Sequence, residues 1–275
     1  MRGNPYIPYP ALLKRSYFES DDFSLKTFEF ELLDGNRIDY IPGQFCEISV
    51  FGKGEAPFGI ASSPTEGHIL KFTVNKAGLV TTALHEAEEG SILGIRGPLG
   101  NGYPVEKFRG KNVLIVGGGF AFTTLRSLLV YLLNSRSDYE EITVIYGART
   151  PGLLLYREEL FEWEKRDDLK VILTVDREFP GWEKQVGFVP QVLERTAPSS
   201  KDCYAVVCGP PIMIKFTLPV LEKLGFKPEM VYTSLEKRMK CGIGKCGRCN
   251  IGPKYICKDG PVFSLAQLAE LPEDY

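Results

Sequence analysis

Four cysteines carry the most specific chemistry in the chain. Cys241, Cys246, Cys249 and Cys257 lie in "CGIGKCGRCNIGPKYIC", a C-x4-C-x2-C-x7-C spacing. The first three follow the plant-type [2Fe–2S] pattern, in which a short loop wraps a flat two-iron cluster. Gly242, Gly244 and Gly247 leave room for the sulfides and let backbone amides aim at sulfur. Structural zinc sites usually pair two C-x2-C knuckles, and only one such unit is present. A disulfide framework cannot pair all seven cysteines, an odd number. Arg238, Lys240, Lys245 and Arg248 surround the segment. Their charge favours a reduced cluster and an acidic partner, or simply forms a solvated rim.

A second constellation sits at strand ends. "NVLIVGGGFAFTTLRS" is a strand, a glycine turn and a helix start. Gly118, Gly119, Phe120 and Ala121 are where a backbone passes close to a pyrophosphate held by the helix amides. A tight turn without a ligand uses the same glycines, and the stretch departs from G-x-G-x-x-G. Other turns share this edge: Arg149 in "YGART", Asp176, and Cys208, Gly209, Pro210 and Met213 in "CGPPIM". Arg149, and Arg157 beyond it, are candidates for a ribose or its 2′-phosphate; as an alternative each is a solvated charge. Cys208 is a small thiol suited to lie near a flat ring, or to pack at a strand end. His68 and His85 are the only histidines, and both are assigned structural or surface roles.

Three textures position these groups. Residues 1–108 alternate in short runs ("LKTFEFELLDG", "HILKFTVNKAG") broken by Gly, Pro and Asn, an antiparallel barrel or sandwich pattern. Helical spacing interrupts it only at Thr81–Gly90. Residues 109–235 alternate apolar strands with helices, the signature of a doubly wound parallel sheet. Residues 236–275 hold the cysteines and a short tail. Net charge is -2, so nothing points to nucleic acid. No apolar run approaches a membrane span and no signal peptide is evident, so a cytoplasmic location is expected.

Together, "CGPPIM", the glycine turn and the β region before them resemble the ferredoxin–NADP reductase superfamily. Within it the chain is most similar to the flavin-binding gamma subunits of cytoplasmic sulfhydrogenases and to the corresponding anaerobic sulfite reductase subunit. Dihydroorotate dehydrogenase electron-transfer subunits and the small subunit of NADH-dependent ferredoxin:NADP oxidoreductase look like cousins. The resemblance implies an FAD-binding β-barrel, an NAD(P)-binding α/β domain and a [2Fe–2S] module. The family's flavin motif R-x-Y-[S/T] falls on "APFGIASS". Ala56 stands at the Arg, Phe58 at the ring-contacting Tyr and Gly59 at the Ser/Thr. Pro57, Phe58, Gly59, Ile60, Ala61 and Ser62 are therefore flavin candidates, relying on amides and Ser62 in place of the missing side chains. Val74, Asn75, Lys76, Gly78, Val80, Thr81 and Thr82, in "VNKAGLVTT", are the second flavin element; Thr81 and Thr82 are equally good helix caps. Thr124 replaces a frequent proline after the glycine turn.

The implied chemistry is relay. A nicotinamide delivers two electrons as hydride, a two-iron cluster accepts one, and a flavin mediates. Cys208 is placed near the nicotinamide, and the four cysteines hold the cluster. The expected partners are catalytic and iron–sulfur subunits of a hetero-oligomeric hydrogenase or reductase, or ferredoxin. Two alternatives stand: a free NAD(P)H:ferredoxin reductase, and a docking or regulatory subunit whose nucleotide site has lapsed.

Overall fold

The computed structural model describes residues 4–272. The first unit contains β1 (Tyr9–Phe18), β2 (Leu25–Leu32), β3 (Phe45–Val50), β4 (Gly54–Gly59), β5 (Leu70–Asn75), α1 (Leu79–His85) and β6 (Ile92–Leu99). The six strands pair antiparallel in the order β4-β3-β6-β1-β2-β5. Alternation explains why: Phe28, Phe30 and Leu32 of β2 enter the core, while Thr27, Glu29 and Glu31 face the other way. Beyond β4 the chain turns onto β5, where the Ala61 amide donates to the Lys71 carbonyl at 2.8 Å. That link draws the two edge strands together, so the sheet curls into a barrel. The helix expected over Thr81–Gly90 starts earlier and stops at His85. Gly90, at a φ of +91°, then turns the chain toward β6.

The second unit follows α2 (Val105–Phe108) with β7 (Asn112–Gly118), α3 (Phe122–Asn134), β8 (Ile142–Ala148), α4 (Arg157–Glu164) and β9 (Lys170–Val175). It continues through β10 (Gln185–Val186), α5 (Val189–Thr196), β11 (Cys203–Cys208), α6 (Pro211–Lys223) and β12 (Val231–Ser234). The last stretch adds β13 (Asn250–Ile251), β14 (Lys254–Tyr255), α7 (Ile256–Asp259), β15 (Val262–Ser264) and α8 (Leu265–Leu268). The sheet order is β10-β9-β8-β7-β11-β12-β15, parallel except for β15. β7 is apolar throughout its middle because helices cover both faces: Ile115 joins the core under α3 and α4, Val116 the core under α5 and α6. Chain order reverses between β7 and β11, which opens a crevice at their carboxyl ends.

The two units are bolted together by Arg126 of α3, whose residue is 1% exposed. It donates to the Ala61 carbonyl (2.9 Å) and to both oxygens of Glu66 (2.9 Å each) on the barrel side, and to Glu159 of α4. The cysteine segment packs on the barrel as well: Phe45 of β3 and Leu99 of β6 share one apolar cluster with Cys249, Cys257, Ile256 and Phe263.

Candidate redox site

A small cleft of about 80 Å³ lies between the units. Pro57, Phe58, Gly59 and Thr73 line it from the barrel, and Phe120, Ala121, Thr123, Thr124, Cys208, Ser234 and Glu236 from the parallel sheet. Six residues singled out from sequence therefore meet: Pro57, Phe58, Gly59, Phe120, Ala121 and Cys208. Thr73, Thr123, Ser234 and Glu236 were missed. Glu236 follows β12, whose end lies beside that of β11, so the strand-end rule that found Cys208 extends to it. Nothing in the local sequence marks Thr73.

Gly59 and Thr124 interlock. A Cβ on Gly59 would collide with the Thr124 methyl, so the missing flavin-motif side chain and the missing proline are one packing feature. The Thr124 hydroxyl lies 3.9 Å from the Cys208 sulfur. Burial pushes the Cys208 thiol up to about 12, with the Glu236 carboxylate adding to the rise, so it stays a neutral thiol.

Other candidates fall elsewhere. The Ile60 and Ala61 amides, expected to grip a phosphate, donate to the Gln44 and Lys71 carbonyls. The Ser62 hydroxyl bonds Tyr40 (2.9 Å) and the Lys71 amide (3.1 Å). These three residues close the barrel behind the cleft. Val74 is buried in the barrel core, its carbonyl accepting from His85 Nε2 at 2.9 Å. Asn75, Lys76 and Gly78 are exposed at the end of β5, and Val80 and Thr82 are partly buried. The Thr81 hydroxyl accepts from the Ala77 and Gly78 amides (2.9 and 2.8 Å), so it caps its own turn. Gly118 and Gly209 are brought together under Met213, whose side chain fills the room a Cβ would need at either; Pro210 touches the same spot. Gly119, at a φ of +54°, faces open space. Arg149 is exposed at the end of β8, one strand from Asp176. Burial raises the Asp176 carboxyl, and Arg149 and Arg177 pull it back. Arg157, offered for the ribose, instead pairs with Asp21 of the barrel unit.

The cysteine loop is shaped by Gly242, Gly244 and Gly247, at φ of +70°, +71° and +73°. This left-handed recurrence turns successive amides inward. Gly244 donates to the Cys257 sulfur (3.1 Å), and Lys245 and Cys246 donate to the Cys241 sulfur (3.2 and 3.4 Å). Burial opposes ionisation of Cys241, but the amides of Ile243, Lys245 and Cys246 together bring it down to about 6. The thiols pair off, Cys246 with Cys241 and Cys249 with Cys257. Four thiols on one short loop, with backbone amides aimed at sulfur, suit an iron–sulfur group. Beneath the loop, the buried Arg96 of β6 pairs with Glu55 and donates to the Cys241 carbonyl at 2.8 Å.

This arrangement has known counterparts. Residues 115–218 match the oxidoreductase NAD-binding domain. Residues 236–269 match the iron–sulfur cluster binding domain of dihydroorotate dehydrogenase B. These matches and the barrel before them define the class: an oxidoreductase with a nucleotide-binding sheet and an iron–sulfur module. Sulfhydrogenase 1 subunit gamma of Pyrococcus furiosus is 36% identical over 98% of this chain and 94% of its own length. A probable dihydroorotate dehydrogenase B (NAD(+)) electron transfer subunit of Thermococcus kodakarensis is 35% identical over 90% of this chain and 93% of its own. The structure of an NADH-dependent reduced ferredoxin–NADP oxidoreductase superposes with a TM-score of 0.73 at 26% identity, covering 100% of this chain and 92% of that one. The chain belongs to the ferredoxin–NADP reductase-like family of electron-transfer subunits that includes these gamma and dihydroorotate dehydrogenase subunits.

Proposed function

We propose that the chain takes hydride from NAD(P)H at the cleft through FAD and passes electrons singly to a [2Fe–2S] cluster on Cys241, Cys246, Cys249 and Cys257. The observation that carries this is the cleft itself, where the flavin strand, the glycine turn and Cys208 meet, one strand step from Phe45, which shares an apolar cluster with Cys249 and Cys257. FAD supplies the exchange between two-electron and one-electron chemistry. Phe58 and Phe120 offer apolar surface to its ring, and Thr124 and Cys208 offer neutral polar atoms. Arg149 and Arg177 give the adenosine end positive charge, which accommodates a 2′-phosphate, while Asp176 between them suits a free ribose.

Electrons leave toward a partner subunit of a hydrogenase- or reductase-type complex. Cys246 is exposed, and Arg238, Lys240, Lys245 and Arg248 are exposed around it, so the docking face is basic and the partner acidic. No helix among the described residues is long and apolar enough to cross a membrane.

Anaerobic titration tests the reading. Purified protein should hold one flavin and two irons per chain. Its flavin absorption should bleach with NADH or NADPH, and a reduced-cluster resonance should appear. Colourless, iron-free protein overturns the proposal. Flavin and iron without bleaching favour the docking-subunit reading instead.

A further inference from the structure

Oxidation of NAD(P)H yields NAD(P)⁺, two electrons and one proton. If the electrons leave one at a time through a cluster, the proton needs its own way out of the cleft. A row of hydroxyls starts there. Thr73 of β5 lines the cleft and is 2% exposed. Its Oγ1 lies 2.6 Å from Thr27 Oγ1 and 2.6 Å from the Tyr156 phenol. Thr27, fully buried, lies 2.7 Å from Glu19 Oε1, and the other Glu19 oxygen accepts the Tyr156 amide at 3.0 Å. Glu19 is itself only partly buried, so the row ends at solvent.

Proton counting fixes the direction of this row. An ionised carboxylate only accepts, and each hydroxyl has one hydrogen. Thr27 must donate to Glu19, so it accepts from Thr73; Thr73 in turn accepts from Tyr156. The hydrogens of Thr73 and Thr27 then point along the row, away from the cleft and toward Glu19. One lone pair of Thr73 remains free to accept. Both threonines sit on the outer barrel face beneath the second unit, where an apolar pair would pack without needing partners.

We propose that Thr73, Thr27 and Glu19 carry the proton of NAD(P)H oxidation from the cleft to the barrel surface. A proton arriving on Thr73 oxygen releases Thr73's own hydrogen to Thr27. Thr27 passes its hydrogen to Glu19 Oε1, which becomes a carboxylic acid and then yields the proton to water. Only O–H bonds form and break, one proton enters and one leaves, and the hydroxyls rotate back. Glu19 is suited to this. Burial raises its carboxyl, while Thr27 and the Tyr156 amide lower it, and Glu159 and Arg126 face it with opposing charges. Tyr17 of β1 and Tyr146 of β8 lie within electrostatic reach.

The proposal rests on the cleft being the flavin site, and the test separates the two. In flavin-loaded protein, Thr27→Val should leave flavin content and the rate of bleaching by NAD(P)H unchanged. Reoxidation by ferricyanide should slow on the order of tenfold with a larger solvent deuterium isotope effect, and Thr27→Ser should restore both. Independently of turnover, the infrared difference spectrum on flavin reduction should contain a carboxyl band that vanishes in Glu19→Gln. Should Thr27→Val not fold, Glu19→Gln carries the kinetic test from the solvent end. Flavin that bleaches normally, with wild-type reoxidation and isotope effect in these variants, overturns the relay alone. A protein that binds no flavin overturns the cleft reading.

Discussion

Arg126 is the point at which removing one side chain should loosen the whole cleft. Arg126→Met keeps an apolar stem of similar length and deletes all the donors. Glu66 then keeps only the Ser63 amide, at 2.6 Å, and the Ala61 carbonyl loses its partner. The ordinary cost of removing one member of a buried ion pair is about 3–5 kcal/mol. The carboxylate side chains here are 22% and 37% exposed, so water rehydrates part of the charge, and the low end, about 3 kcal/mol, applies. At roughly 2–4 °C per kcal/mol, the first thermal transition should fall by roughly 6–12 °C. Burial raises the Glu66 carboxyl and Arg126 holds it below its usual range, so the orphaned carboxylate is the main penalty. Arg126→Met combined with Glu66→Gln should therefore recover roughly 1–2 kcal/mol of the loss. The assay is thermal melting followed by circular dichroism, with flavin fluorescence reporting the cleft. A fall below roughly 2–4 °C, corresponding to about 1 kcal/mol, would mean that the network behaves as a surface pair and that apolar packing alone joins the units.

Other outcomes follow from the same contacts. Serine at any of Cys241, Cys246, Cys249 or Cys257 should lower iron content sharply, whereas Cys46→Ser and Cys203→Ser should keep it; iron analysis and the reduced-cluster resonance decide. Gly59→Ser should destabilise by about 1–3 kcal/mol through overpacking against Thr124, and Gly59→Ser with Thr124→Ala should regain most of it in a melting experiment. Burial, with Lys26 and Lys76 nearby, lowers the His85 pKa below its ordinary 6.5, although its bond to the Val74 carbonyl opposes this. The unfolded chain thus takes up a proton near pH 6.5 that the folded one refuses. Stability should fall as pH drops through that value, and His85→Gln should flatten the decline in melting temperature.

The layers of this molecule were legible because each has its own period. β2 alternates with period two around one buried face, and β7 is continuously apolar because helices cover both sides. The cysteine loop was legible because its four cysteines and its glycines are neighbours in sequence. The cleft was only half legible. Cys208 and Phe120 sit on recognisable turns, but Thr73 reaches partners 46 and 83 residues away and carries no local signal. Burial alone misleads at Thr27, which sits on the outer face of its strand and is covered only because the second unit docks there. Amide commitments are equally invisible: the Ile60 and Ala61 amides looked available to a ligand until barrel closure claimed them.

The proximity of cleft and cysteine loop follows from strand register, which no motif records. Gly59 lines the cleft, and its partner across the β3–β4 ladder is Phe45. Phe45 in turn belongs to the apolar cluster that contains Cys249 and Cys257. Neighbouring strands lie about 5 Å apart, so a single strand step separates the cleft wall from the packing shell of Cys249 and Cys257. On the next strand of the same sheet, Arg96 of β6 holds the Cys241 carbonyl. The barrel thus serves both sites: β4 builds the cleft, and β3 and β6 carry the cysteine loop. A one-residue slip of β3 would turn Phe45 away from the cluster shell and cut this connection while leaving every sequence motif intact.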